Sequence, residues 1–332
     1  MPMASAPALS VIMSVYNGAR YVYAATQSIL AQDFADFEFL IVNDGSVDNS
    51  GDILRTLALS DNRIRLIERK NRGLVASLNE MVAAAKAPYL ARMDSDDIAM
   101  PTRFSRQTAY MAAHPEVGIL GTNTHDIDDR GRIVGPTTDY PAHPAMDPER
   151  LKHGPPVCHP SVMMRTDLIR QLGGYRPAFR HAEDYELWLR ASSHCEIANL
   201  TERLMLYRRS EFQVSEVHNF EQATAAAVAW HNHVRQRDGK PDLFDGVTAL
   251  PEFAEIDDFF GEVGVASAVR KMLVEQLRYS SGVLRGDAFA LMIEQAGSGT
   301  GFKGAGRTIM RLARLGEFDR AFALARRLML AF

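Results

Sequence analysis

Three short clusters in the first hundred residues, Tyr16-Asn17-Gly18, Asn43-Asp44-Gly45-Ser46 and Asp94-Ser95-Asp96-Asp97, combine ligand-holding side chains with turn formers. In the third, hard carboxylate oxygens at i and i+2 can share a divalent cation and its ligand's phosphates, and magnesium or manganese suits that donor set best. Read alone, the same acids also suit a helix N-cap. In the second cluster Asp44 can accept a hydrogen bond from a nucleobase ring N–H while Gly45 permits close approach, with a plain turn as the rival reading. Farther on, Glu183-Asp184 opens the helical pattern Tyr185-Glu186-Leu187-Trp188-Leu189-Arg190. Partial positive charge at a helix start favours an ionised carboxylate there, which suits a general base or a simple cap.

These clusters matter because of what precedes them. From Leu9 to Met93 short apolar runs alternate with amphipathic stretches, the pattern of β-α-β units and a largely parallel sheet. The spacing predicts strands at Leu9–Val15, Phe37–Asn43, Ile64–Glu68 and Tyr89–Met93, and helices near Tyr23–Ala31, Ser50–Leu59 and Leu74–Ala85. Each cluster then falls at the carboxyl end of a strand, where open α/β sheets bind ligands, so the three loops converge on one anionic crevice. A helix near Arg103–His114 follows, then an expected hairpin over 118–134 turning at Asp128-Asp129-Arg130-Gly131, and a strand at Ser161–Met164. Thr166 is expected to cap a short helix ended by Gly173-Gly174. Beyond Ser215 the pattern is helical, best at Ala223–Arg235, Val263–Leu284 and Arg307–Met329, which predicts a domain of residues 1–215 and a helical region of 216–332. Gly297-Ser298-Gly299-Thr300-Gly301 has no strand before it and reads as a spacer rather than a phosphate cradle.

The 332 residues suffice for about two domains. Lys and Arg number 37 against 41 Asp and Glu, a formal charge of −4, whereas a nucleic-acid binder carries a basic excess. Only Cys158 and Cys195 are present, which argues against a disulfide framework and for a reducing, cytoplasmic setting. No export signal is visible, and no run reaches the roughly eighteen apolar residues of a spanning helix. Arg307, Arg311, Arg314, Arg320, Arg326 and Arg327, interleaved with Leu, Phe and Met, give the last helix two readings: packing on its own domain, or contact with the inner face of an anionic membrane.

Taken in order, Ser10-Val11-Ile12-Met13-Ser14-Val15-Tyr16-Asn17, Val42-Asn43-Asp44-Gly45-Ser46-Val47-Asp48, Asn71-Arg72-Gly73-Leu74 with Asn79, Asp94-Ser95-Asp96-Asp97, and Glu183-Asp184 with Leu187 and Arg190 resemble the family 2 glycosyltransferases, inverting enzymes of the GT-A fold. The resemblance covers about residues 9 to 215. It implies a nucleotide-sugar donor, most often a uridine diphosphate sugar, and a glycan or lipid-linked saccharide acceptor. Carried over residue by residue, it puts Tyr16 and Asp44 near the base, Arg72 beside the nucleotide, Asp94 near the ribose and Asp96 on a Mn2+ or Mg2+ ion, with Asn17 and Ser95 also binding the donor. Asp184, with Glu183 beside it, becomes the base, His159 approaches donor or acceptor, with a buried structural histidine as the rival reading, and Arg208 faces the diphosphate. Two departures stand out: Ser14 occupies a usual proline position, and Arg209-Ser210-Glu211 lacks the family's usual histidine.

Other classes fit less well. A GT-A-like nucleotidyltransferase requires a glycine- and lysine-rich triphosphate loop near the start, and Ser14-Val15-Tyr16-Asn17-Gly18 is not one. A catalytically silent assembly protein has no need of both Asp96 and Asp184. Cys158-His159 and His194-Cys195 lack zinc-ligand spacing.

Overall fold

The computed structural model describes residues 6–134, 139–141, 151–152, 154–209, 218–278, 284–286, 289–297 and 304–330. Strand β2 (Phe37–Asp44) is buried at every residue and β1 (Leu9–Val15) at all but Ser14, as near-continuous apolar runs are when a sheet is covered on both faces. With β3 (Ile64–Arg69) and β4 (Tyr89–Asp94) they form the parallel order β3-β2-β1-β4. The connections are α1 (Val22–Leu30), α2 (Ser50–Ser60) and α3 (Leu74–Ala84). Side chains alternate across a strand. β1 therefore sends Leu9, Val11, Met13 and Val15 into one core with Val22, Ala25, Ile29, Leu54 and Leu57, and Ile12 into another with Leu78, Met81 and Val82. These elements, and α4 (Arg103–Ala113), match the expected ranges to within a residue at each end.

Register decides where the loops go. Ser14 pairs with Asp94, Val15 with Asn43, and Asp44 with Arg69, so four parallel strands end in line and release their loops at one edge.

The other half of the sheet is mixed. β7 (Met163–Arg165) runs antiparallel to β4 and to β6 (Val117–Ile127); β8 (Glu196–Arg208) lies parallel to β6, and β5 (Ile98–Ala99) pairs antiparallel with β8. Between β7 and β8 come α5 (Thr166–Gln171) and α6 (Glu183–Ala191). The expected hairpin over 118–134 is mostly one long strand: its turn forms, but the return arm pairs only at Ile133 with Ile127, because β6 spends its hydrogen bonds on β8 and β7. Thr166 does not cap α5; it is the first helical residue, and its hydroxyl donates to the Ala87 carbonyl at 2.6 Å.

By its internal packing the chain divides into two units, Met1–Pro177 with Glu183–Gln213, and Ala178–Ala182 with Val214–Phe332. The described residues of the second contain α7 (Asn219–Arg237), α8 (Ile256–Phe260), α9 (Val265–Leu277), α10 (Phe289–Ala296), α11 (Ala305–Arg314) and α12 (Phe318–Met329), and no strand. Phe179, Phe259 and Phe260 gather around Phe244. The expected helix Arg307–Met329 is broken into α11 and α12 by a turn in which Gly316 takes φ +79°. The boundary expected between residues 215 and 216 and positions 298–301 of the expected spacer lie outside the described residues. Among the described residues no helix is long and apolar enough to cross a membrane.

Candidate active site

The loop after β1 carries Tyr16, more than half exposed at 55%, and Asn17, whose backbone turns left-handed at φ +52°. Asn17 accepts the Val47 N–H on Oδ1 at 2.9 Å, and its own N–H donates to Ser46 Oγ at 3.0 Å, lacing the first loop to the second. Gly45 takes φ +75°, and a Cβ there would sit 2.5 Å from the Asn71 nitrogen, so the second loop touches the segment carrying Arg72. Asp44 makes that junction. Buried to 2% exposure, it ion-pairs with Arg69 and accepts the N–H groups of Arg72 at 2.9 Å and Gly73 at 2.8 Å, leaving the Arg72 side chain exposed. Ser95 sits beside Gly18, where a Cβ would come 3.2 Å from Ser95 Oγ.

At the end of β4 the Arg92 guanidinium holds both oxygens of Asp94 at 2.6 Å. The ligand oxygens of Asp94, Asp96 and Asp97 all lie within 4.8 Å of one another. Burial, with Asp94 adding to it, raises the Asp96 carboxyl from 3.8 to about 6, and burial with Asp96 and Asp94 pushes Asp97 well above its ordinary value. Asp97 Oδ1 accepts the Arg208 N–H at 2.8 Å, while its buried Oδ2 has no hydrogen-bond partner among the described residues. Hard oxygens, mutual repulsion and an orphaned buried carboxylate oxygen are what a divalent cation resolves, so the residues fit one. Arg208 is turned onto the protein: Nε donates to the Asp96 carbonyl and Nη1 to the Asp128 carbonyl, and the guanidinium lies over the Tyr21 ring. Here it ties the acidic loop to the 128–131 turn.

The other residues come from the middle of the sequence. Asp184 stands in the first turn of α6 and accepts the Tyr185 N–H at 2.7 Å. Burial raises its carboxyl above the ordinary range against the pull of that bond and of Arg92, and Asp94 raises it further. The charges of Arg92 and Asp94 thus act on Asp184. His159, in a 3-10 turn at His159–Ser161, has Nδ1 3.9 Å from Asp184 Oδ2 and Nε2 3.0 Å from the Tyr175 hydroxyl. Burial first, then Arg92, holds its imidazole well below the usual value, so it is neutral at pH 7 and the 3.9 Å approach is no ion pair. Asn79 fixes Tyr175 by bonding its N–H at 2.8 Å and its carbonyl at 2.7 Å. Gly174, at φ +72°, leaves room for that clamp, since a Cβ would come 2.4 Å from Asn79 Oδ1. Glu183 is buried beside Asp184, and the Glu186–Arg190 pair behind them bonds the Gly174 carbonyl.

Three residues of this arrangement were not singled out by sequence, Arg92, Arg69 and Tyr175, and Asp97 was named within the acidic cluster without a role of its own. Arg92 left a signal, a lone cation in the otherwise apolar strand Tyr89-Leu90-Ala91-Arg92-Met93. Tyr175 left none.

Linkage gives the acidic loop a sign. Raised carboxyls hold protons in the folded chain that the unfolded chain has shed, so their contribution to stability falls as pH rises from the ordinary 3.8 through about 6. Manganese relieves the ionised repulsion, and it should raise the unfolding midpoint more at about pH 7.5 than at about pH 5. Differential scanning calorimetry with and without Mn2+ checks this; an equal or reversed shift would locate the ion elsewhere.

The description Glycosyl transferase family 2 matches residues 10–173. The Escherichia coli O-antigen biosynthesis glycosyltransferase WbnJ is 33% identical over 204 residues, 60% of this chain and 79% of that protein. Among solved structures, S. aureus TarS 1-349 in complex with UDP-GlcNAc superposes at a TM-score of 0.60 with 17% identity, covering 94% of this chain and 89% of that one. The mannosyltransferase PcManGT from Pyrobaculum calidifontis, in complex with GDP-Man and Mn2+, gives 0.52 with 16% identity, covering 98% and 88%. At these identities the structural likeness is one of fold.

Proposed function

This chain belongs to glycosyl transferase family 2 and has the GT-A fold, and from that premise we propose that it moves a sugar, with inversion, from a uridine diphosphate donor to a hydroxyl of a glycan or lipid-linked acceptor. The observation that carries the reading is the cluster of Asp94, Asp96 and Asp97 at the edge where the parallel strands end, with the charges of Asp94 and Arg92 acting on Asp184. Support for the donor comes from TarS, solved with UDP-GlcNAc on the same fold, and support for a glycan acceptor from the O-antigen role in WbnJ's name.

On this reading Tyr16 offers a flat exposed face for the base, Asn17 and Asp44 set the loops beside it, and Arg72 meets nucleotide phosphate charge. Asp94 and Ser95 face the ribose, and Asp96, with Asp94 and Asp97, holds Mn2+ or Mg2+. A bound cation supplies Lewis-acid charge for the departing diphosphate. Asp184 takes the proton of the acceptor hydroxyl as that oxygen attacks the anomeric carbon from the face opposite the leaving group. A carboxylate is too weak a base to ionise an alcohol beforehand, so transfer runs within an oxocarbenium-like transition state. The raised proton affinity of Asp184 makes it a better acceptor for that step. His159, neutral, shares a hydrogen bond with the Tyr175 hydroxyl at Nε2, turns Nδ1 towards Asp184 and lies beside donor or acceptor. Arg208 keeps the acidic loop in place and adds positive charge on the diphosphate side.

Thermal unfolding in the presence of manganese and a panel of nucleotide sugars tests the donor class. Uridine diphosphate sugars should raise the midpoint and nucleoside triphosphates should not; stabilisation by triphosphates alone would contradict a sugar donor.

The two unpaired cysteines suit a cytoplasmic setting, and α12 supplies a means of lying against the membrane there. Phe318, Phe322 and Met329 share one exposed face, flanked by exposed Arg326, while Arg320 is committed to the Leu284 and Gly286 carbonyls. The full chain should float with anionic vesicles, and the double variant Phe318→Ser, Phe322→Ser should stay in solution. Equal flotation of both would reject this contact.

A further inference from the structure

His181 stands in the left-handed region at φ +71°, one of two non-glycine residues there among those described. Its ring lies flat on that of His218, with centroids 4.3 Å apart and planes 8° from parallel. Glu221, one turn into α7, brings Oε2 to 2.6 Å from His218 Nδ1 and 3.8 Å from His181 Nε2. The three ligand atoms lie within 4.8 Å of one another, and all three residues belong to the second unit.

Pairing across the helix start accounts for part of this. His218 is the N-cap residue of α7 and makes no side-chain bond to the cap N–H groups; its ring meets the Glu221 carboxylate three residues on. It does not account for a second imidazole pressed face to face on the first by a left-handed backbone, since two cationic rings so placed repel. Neutral rings do not repel, and each offers a nitrogen lone pair. Gln222 Nε2 also donates to the His181 carbonyl at 2.8 Å, holding the strap 178–182 from outside the cluster.

We propose that His181, His218 and Glu221 are the protein ligands of a Zn2+ site that clips the 178–182 strap to the start of α7. Two imidazoles and one carboxylate, with water in the fourth position, are a recurrent zinc set. Bonds of about 2.0 Å place tetrahedral donors about 3.3 Å apart. The contacts of 2.6 and 3.8 Å bracket that spacing, so small side-chain rotations close the site. The set differs in kind from Asp94, Asp96 and Asp97: nitrogen donors select zinc, whereas the all-oxygen cluster suits magnesium or manganese. His181 stands three residues before Asp184 in the chain, so an occupied clip fixes the peptide leading into α6.

The test uses the full chain, loaded with Zn2+ in excess Mg2+, desalted and analysed for metal. The wild type and Asp96→Ala should each retain about one zinc, and His181→Ala and Glu221→Gln should retain at least about tenfold less. A wild type that sheds its zinc, or retention lost in Asp96→Ala and kept in the other two, overturns the site. Should His181→Ala fail to fold, Co2+ added to the wild type still decides: an intense visible band of a four-coordinate ion supports the proposal, and only the weak band of an octahedral ion overturns it.

Discussion

Asp184→Asn should lower kcat by roughly two to four orders of magnitude, about 3–5 kcal/mol of barrier, with donor affinity nearly unchanged. The amide keeps the shape of the side chain and can still accept the Tyr185 N–H, so α6 starts as before. What it lacks is a lone pair that gains a proton during attack. The deficit therefore falls on kcat rather than on donor binding, the mark of an interaction made in the transition state. The pH profile adds a second reading. Asp184 acts when ionised, and burial raises its carboxyl above the ordinary range, so wild-type activity should rise with pH through a value above that range. Steady-state kinetics with titration calorimetry of the donor separates the two parameters; near-normal turnover by the variant would remove Asp184 from the role.

Asp96→Ala should weaken manganese-dependent binding of the nucleotide by roughly two orders of magnitude or more, since it deletes a charged oxygen ligand at the ion. The same substitution should not lower the metal-free unfolding midpoint. Asp96 is raised to about 6 by burial and by Asp94, so in the absence of metal its charge is a burden at neutral pH, and removing it relieves Asp97 as well. Loss of ligand binding without loss of stability distinguishes a cation ligand from a structural cap, which would cost about 1 kcal/mol when truncated. Intact manganese-dependent binding in calorimetry would contradict the assignment.

The parallel half of the fold was legible because its signals are local. Leu9–Val15 and Phe37–Asp44 are apolar runs bounded by turn formers, and α1 to α3 bury one face each. The mixed half was less so. β6 reads as a hairpin arm from its own alternation, yet its main partner is β8, which no nearby residue announces. β5 is two residues long and exists only through its pairing with β8. Among the candidate site residues, Asp94, Asp96 and Asp184 stood out by type and position, each at the end of a strand or the start of a helix. Asp44 was recognised, but its engagement with Arg69, Arg72 and Gly73 was not, because that contact depends on the register of β2 and β3. Arg208 was expected to face a diphosphate, and the two backbone carbonyls its guanidinium also holds were not foreseen, a geometry set by the fold of the 128–131 turn. Tyr175 reaches His159 only through Asn79 and the opening at Gly174, a long-range arrangement without a sequence motif.

Anomalous scattering from manganese in a crystal of the full chain with uridine diphosphate tests the central claim most directly. The account predicts a peak bounded by the carboxylates of Asp94, Asp96 and Asp97, against the diphosphate, with Asp184 across the same cleft. Nucleotide bound with no manganese at that loop, or Asp184 turned away from the nucleotide, would contradict it.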